Sequence, residues 1–83
     1  MYTVKTSTLQ ITENKTIRPS SYGGWLAVNI GTGVATVDDI PLSQGDGLDY
    51  TKLSPDVIWD EPIIIVCEPG AKVILKRLLY KQI

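Results

Sequence analysis

The run over residues 25–50, WLAVNIGTGVATVDDIPLSQGDGLDY, most constrains the fold of this chain. Short stretches of apolar and β-branched residues alternate in it with clusters of Gly, Asp, Asn and Ser, which are residues that tight turns use. This pattern predicts successive strands joined by short turns, with no helix. We expect strands over residues 25–30, 34–37, 40–42 and 48–53.

Two details of this run predict local geometry. Asp38 and Asp39 lie between two strand stretches and predict a two-residue hairpin turn, although Asn-Gly or Asp-Gly is the more usual sequence there. Pro41 has no backbone N–H to donate, so its short strand is expected at the edge of a sheet.

The residues before this run predict an N-terminal arm over 1–24. Leu9 and Ile11 alternate with polar residues and predict one half-buried strand over residues 2–12. Residues 17–24, IRPSSYGG, have the Pro, Gly and Ser content of a loop. We therefore expect an arm with one strand and a loop, followed by a β-sandwich domain over residues 25–83.

The C-terminal part predicts the remaining strands. Residues 57–59 predict a short strand, and the apolar run over residues 62–67, PIIIVC, is typical of a strand covered on both faces. The sequence EPGA over residues 68–71 has the Pro and Gly positions of a type II turn.

Residues 71–83, AKVILKRLLYKQI, fit two structures. Ala71, Ile74, Leu75 and Leu78 have helical spacing, but a strand would also place apolar residues on both of its faces. The tight turn before this segment and the all-β context favour the strand. We expect a small antiparallel β-sandwich or open barrel of about seven short strands, with a spare apolar face that an oligomer would bury.

Size and charge limit the possible functions. A domain of 83 residues is marginally stable alone, and with one cysteine it can form no internal disulfide, so oligomerisation is the expected source of further stability. A net charge of −1 argues against nucleic-acid binding. No apolar run is long enough for a membrane span or a signal peptide, and the single thiol fits synthesis in a reducing cytoplasm.

The sequence suggests no catalytic, cofactor or metal site, and we expect a protein that is not an enzyme. Without a histidine, the serines and Cys67 lack the usual general base. Asp60 and Glu61 are adjacent and would point to opposite faces of a strand, so they cannot flank one bond. The spacing of Asp38, Asp39 and the later aspartates matches no calcium loop, and turn chemistry explains these residues better than a metal site.

Aromatic residues are the remaining candidates for a function. They could form a platform for a glycan or peptide, but with no phenylalanine in the chain they are also its only large aromatic side chains for a core or a subunit interface. The predicted interface combines aromatic, apolar and basic residues: Tyr2, Val4, Arg18, Tyr22, Trp25, Trp59, Leu79 and Tyr80.

The order of strands and turns resembles that of small virion proteins of tailed bacteriophages. The run VNIGTGVATVDDIPLSQGDGLDY, then VIWDEPIIIV and a closing strand that ends at Tyr80, carries the resemblance. The chain departs from that pattern at Asp38 and Asp39, where a glycine is usual.

This resemblance implies a non-enzymatic virion subunit, either a capsid auxiliary (decoration) protein or a head-fibre component. Such a subunit would be made in the host bacterial cytoplasm and would end up in the virion. Its expected partners are its own copies, in a cyclic homo-oligomer such as a trimer, and the major capsid protein or another virion protein, which the arm would contact. The alternatives are a stand-alone glycan- or peptide-binding β module and a tail or neck adaptor of a phage particle.

Overall fold

The computed structural model describes residues 1–18, 23–53 and 58–83, and these residues form eight strands. In chain order the strands are β1 (Tyr2–Ile11), β2 (Lys15–Ile17), β3 (Gly24–Asn29), β4 (Ala35–Val37), β5 (Ile40–Leu42), β6 (Gly47–Tyr50), β7 (Ile63–Cys67) and β8 (Val73–Gln82). The described residues contain no helix, and therefore none that could cross a membrane.

The strands form two four-stranded antiparallel sheets, which confirms the predicted β-sandwich with one strand more than expected. The first sheet has the order β1-β8-β3-β6 and the second has the order β2-β7-β4-β5. The short strand β5 lies at an edge, as its proline predicted.

The C-terminal segment is a strand, as the turn before it suggested. β8 pairs with β1 along its whole length and with β3 over its first six residues. Val73 and Leu75 are buried, whereas Ile74 between them is half-buried on the other face. Hydrogen bonding to a strand on each side stabilises the extended backbone despite the helical spacing of the apolar residues.

The core lies between the two sheets and draws on every strand except β6. Its buried apolar residues are Ile11, Ile17, Trp25, Ala27, Ala35, Val37, Leu42, Ile63, Ile65, Ala71, Val73 and Leu75. Since each fully buried large aliphatic side chain contributes roughly 1.5–3 kcal/mol, this layer is the main source of stability.

Two tight turns have the predicted geometry. Asp38 and Asp39 have φ angles of 47° and 67°, as a two-residue type I′ hairpin turn requires. Gly70 has a φ of 89°, and the Ala71 N–H donates to the Glu68 carbonyl oxygen over 3.0 Å, which is the geometry of a type II turn.

Three local predictions were wrong. The strand expected over residues 48–53 ends at Tyr50, so residues 51–53 are not in a strand. Ile58 and Trp59 are not in a strand, and Val57 lies outside the described residues. β7 is covered on one face, because Ile63 and Ile65 are buried while Ile64 and Val66 are 51% and 44% exposed. A two-layer sandwich covers one face of each sheet, so even a wholly apolar strand turns alternate side chains outward.

The predicted arm contributes one strand to each sheet. β1 is an edge strand of the first sheet and β2 an edge strand of the second, where one strand was expected. Ile11 and Ile17 from these strands lie in the core. The division into an arm over 1–24 and a domain over 25–83 stays a prediction.

β1 and β8 continue beyond the rest of their sheet as a two-stranded ribbon. The last residue of β8 that pairs with β3 is Leu78, opposite Gly24. Past this point β8 pairs with β1 alone among the described strands, as far as Tyr2 opposite Gln82. The Cα atoms extend 43 Å along the longest axis and 20 Å and 17 Å along the others.

Candidate interaction surfaces

The outer face of the second sheet carries a row of apolar and threonine side chains, which we call the β7 patch. At its centre are the outward side chains of Ile64 and Val66. Thr16 lies opposite Ile64, and Thr36 lies opposite both Val66 and Pro41. These five residues are uncharged, and the Asp38 carboxylate borders them through its hydrogen bond from the Ile64 N–H. The patch is therefore a mainly apolar surface suited to contact with another protein.

The β7 patch was not predicted, because the apolar run PIIIVC is typical of a strand covered on both faces. A usable signal was present: a chain of 83 residues is too short for a third layer over each sheet. Two alternate residues of any such strand must then face solvent or another molecule. Ile64 and Val66 were therefore identifiable as surface residues.

The ribbon carries four of the eight residues predicted for an interface. Tyr2 and Val4 are 38% and 53% exposed. Val4 lies opposite Tyr80, and Lys5 lies opposite Leu79, with Tyr80 and Leu79 both half-buried. Leu79 also packs against the core. The ribbon therefore brings Tyr2, Val4 and Tyr80 together on one face, with Leu79 on the other.

The other four predicted residues are not part of β1 or β8. Arg18 is exposed just after β2, and Tyr22 lies outside the described residues. Trp25 is fully buried, and Trp59 is half-buried. The structure thus separates Arg18, Trp25 and Trp59 from the ribbon, and an interface role for each of the four residues stays a prediction.

Trp25 and Trp59 form an aromatic cluster with Tyr50. Trp25 and Tyr50 lie opposite each other on β3 and β6, with ring centroids 4.8 Å apart. Trp59 contacts Trp25 edge-on at 5.4 Å and Tyr50 at 5.2 Å. Such contacts stabilise packing, and they fix the segment around Trp59 against the first sheet. Because Trp25 is fully buried, its ring offers no exposed surface to a ligand platform formed by both tryptophans.

Three aspartates, Asp38, Asp46 and Asp49, accept hydrogen bonds from backbone N–H groups. The Asp38 carboxylate accepts the Ile64 N–H over 2.9 Å, and the Asp46 carboxylate accepts the Ser43 N–H over 3.0 Å. Asp49 accepts the backbone N–H and the hydroxyl of Thr51, and these two hydrogen bonds hold the pKa of its carboxyl below the ordinary value. No three metal-binding side chains cluster within residues 1–18, 23–53 and 58–83.

Asn29 is a buried polar side chain whose hydrogen bonds are all made within the chain. Its Nδ2 donates to the carbonyl oxygens of Gly33 and Leu42 at 2.7 Å and 2.9 Å. Its Oδ1 accepts the N–H groups of Gly31 and Lys72 at 3.0 Å and 3.2 Å. Because every donor and acceptor of the amide is used, Asn29 acts as a structural link and not as a ligand.

Comparison with known proteins identifies no relative: no family model, no curated protein and no solved structure matches this chain. The surfaces described above therefore carry the functional argument.

Proposed function

We propose that this chain is a non-enzymatic structural subunit of a tailed-phage particle, which self-associates and docks on the capsid as a decoration or head-fibre component. The observation that carries the proposal is the β7 patch. Ile64 and Val66 project outward from the central part of a regular sheet, where burial against another protein surface is favourable.

The composition of the β7 patch suits a permanent contact. Threonine, proline and β-branched side chains form a flat surface of low conformational entropy, so little freedom is lost on binding. The Asp38 carboxylate beside Ile64 keeps its hydrogen bond from the Ile64 N–H when the patch is covered, which offsets part of its desolvation cost. A surface of this kind binds a partner that presents a complementary apolar area, as one virion protein does to another.

Assembly also suits the size of the chain. A domain of 83 residues buries only about 60% of its unfolded surface and is marginally stable alone. Binding to a particle adds to the stability of the folded state by mass action. A repeated capsid lattice further strengthens weak individual contacts when subunits are linked to one another.

The sandwich and its run of short strands agree with the resemblance to small virion proteins. A neck or tail adaptor would use the same physical features at a different place in the particle. The stoichiometry of the subunit distinguishes these positions, because capsid decoration follows the copy number of the major capsid protein and an adaptor forms a single ring.

The direct test is mass spectrometry of density-gradient-purified particles of the virus that encodes the chain, with quantification against the major capsid protein. We expect the chain in the particles, at a fixed ratio to that protein. Its absence from particles that package DNA normally would overturn the proposal. A copy number that matches a single ring would move the subunit to the neck or the tail.

A further inference from the structure

The outer edge of β1 differs from the other three sheet edges. β2 and β5 have three residues each, β5 contains Pro41, and β6 has four residues with one aspartate. Short length, proline and charge are the usual devices that prevent pairing between sheets. β1 has ten residues, YTVKTSTLQI, with one charge and no proline or glycine.

The register of β1 shows which backbone groups face its open edge. The Ile83 N–H donates to the Met1 carbonyl oxygen over 3.1 Å, so Met1 and Ile83 form a hydrogen-bonded pair. Along an antiparallel ladder, hydrogen-bonded and non-hydrogen-bonded residue pairs alternate. The backbone N–H and C=O groups of the odd-numbered residues of β1 are therefore hydrogen-bonded to β8. Even-numbered residues direct both backbone groups away from β8.

Four of these even-numbered residues are Val4, Thr6, Thr8 and Gln10, and all four are exposed. No strand within the described residues pairs with β1 on this side. Their four N–H and four C=O groups form a regular row over about 20 Å, at roughly 3.3 Å per residue. Such a row is a template for another antiparallel strand.

We propose that two copies of this chain pair through their β1 strands, antiparallel and about a twofold axis beside Ser7, so that the two first sheets form one eight-stranded sheet. This inference rests on the self-association part of the proposed function and names its surface. In this register Val4 lies opposite Gln10 of the second copy and Thr6 lies opposite Thr8, which gives eight backbone hydrogen bonds.

The side chains suit this twofold register. Lys5, the one charged residue of β1, lies opposite Leu9 of the second copy and not opposite its own equivalent. A register shifted to place Lys5 opposite Lys5 would bring like charges together, which is unfavourable. Threonine pairs opposite one another on the outer face are favourable. Self-complementarity about Ser7 therefore favours a second copy over an unrelated strand as the partner.

The first test is the solution mass of the full chain, by light scattering over a concentration series. We expect a concentration-dependent dimer of twice the 9.1 kDa chain mass. Thr6→Glu/Thr8→Glu places like charges opposite each other across the proposed interface and should give a monomer. Thr6→Lys/Thr8→Glu places opposite charges there and should keep the dimer.

These two variants are closely matched. Both place a carboxylate at position 8, opposite Lys76 on β8, and they differ only in the sign of the charge at position 6, opposite Leu78. Their circular dichroism and unfolding curves should therefore be similar. Equal association of the two variants would overturn the proposed register.

A cross-link tests the register a second way. Opposed Ser7 residues form a non-hydrogen-bonded pair with Cα atoms about 4.5 Å apart, within the range of a disulfide. In a Cys67→Ala background, Ser7→Cys should oxidise rapidly to a covalent dimer. Thr3→Cys should not, because the two equivalent residues would lie about 26 Å apart along the strands.

The possible results separate this inference from the proposed function. A wild-type monomer at all concentrations, or a trimer, together with no Ser7→Cys cross-link, would overturn the β1 pairing even if the chain is found in virions. Loss of particle binding in both charge variants of such a monomer would point to a strand of another virion protein on the same edge. A cross-linked dimer that is absent from virions would instead overturn the virion assignment.

Discussion

Asn29 on β3 donates a buried hydrogen bond to the carbonyl oxygen of Leu42 on β5 over 2.9 Å, and this bond links the two sheets. The same side chain also holds the loop at Gly31 and Gly33 and the backbone of Lys72. The amide thus satisfies backbone groups at the end of the sandwich where three chain segments meet.

Asn29→Ala should lower the free energy of unfolding by about 3 kcal/mol, because it leaves several buried donors and acceptors without a partner. Asn29→Asp should cost more at neutral pH, since a buried carboxylate would face the carbonyl oxygens of Gly33 and Leu42. The loss in that variant should shrink as the pH falls and the carboxyl gains a proton. Urea unfolding at pH 5 and pH 7 measures both effects.

Asn14→Ala is the matched control for these variants. Asn14 is exposed and accepts one hydrogen bond, from the Cys67 N–H at 2.8 Å. Water can replace that partner, so the expected cost is about 1 kcal/mol or less. Equal losses for Asn14→Ala and Asn29→Ala would contradict the linking role of Asn29.

Gly33 and Gly45 should respond very differently to alanine. A Cβ on Gly33 would lie 2.2 Å from the Pro69 carbonyl oxygen and 2.7 Å from the Ala71 nitrogen, so backbone must move. Gly33→Ala should therefore cost about 3 kcal/mol. Gly45 has a φ of 87° with no atom within 4 Å of the added Cβ, so Gly45→Ala should cost about 1 kcal/mol from the backbone conformation alone. Thermal unfolding of the two variants compares these costs, and a larger shift for Gly45→Ala would contradict the close packing at Gly33.

In the Asp38–Asp39 turn, we expect a glycine to raise the stability of the fold at one position and not at the other. Asp39 has a φ of 67°, a conformation that glycine adopts without strain. Asp39→Gly should therefore stabilise the chain by about 0.5 kcal/mol. Asp38→Gly relieves the same strain but removes the hydrogen bond from the Ile64 N–H, so it should give no gain. Denaturant midpoints of the two variants test this difference, and a gain in both would show that the Asp38 carboxylate contributes nothing.

Local sequence patterns predicted much of this fold because they act through near neighbours. The Asp38–Asp39 turn, the EPGA turn and the edge position of Pro41 each follow from the conformational limits of one or two residues. The local patterns did not predict which sheet each strand joins, because that depends on pairing between strands far apart in the sequence. β1 and β2 enter different sheets although a short turn separates them.

The candidate surfaces were less predictable than the fold. Aromatic residues such as Trp25 are common in both cores and interfaces, and the sequence alone does not distinguish the two. Trp25 is buried in the core because Tyr50 on β6 and Trp59 pack against its ring. Ile64 and Val66 were missed for the opposite reason, since their exposure depends on how many layers the chain can build.

Cys67 should make stability fall at alkaline pH. Burial raises the pKa of its thiol above the ordinary value, so the folded state keeps the proton at a pH where the unfolded state has lost it. The stabilisation is complete below the thiol pKa of the unfolded chain, about 8.5, and is lost as the pH rises through the folded pKa. Urea unfolding at pH 7.5 and pH 9.5 should show a larger loss in the wild type than in Cys67→Ala. Equal losses would mean that the thiol titrates alike in both states.

The last prediction concerns the β7 patch and separates stability from docking. Ile64→Thr/Val66→Thr keeps two β-branched residues in the strand but removes much of the outward apolar surface. Because both side chains are substantially exposed, the free energy of unfolding should change by about 0.5 kcal/mol or less per site. Binding to particles that lack the subunit should weaken at least tenfold, as measured by co-sedimentation over a range of subunit concentrations. Ile58→Thr, at an exposed isoleucine outside both the β7 patch and β1, is the matched control and should bind like the wild type. Undiminished binding of the double variant, with its fold intact, would exclude the β7 patch as the docking surface.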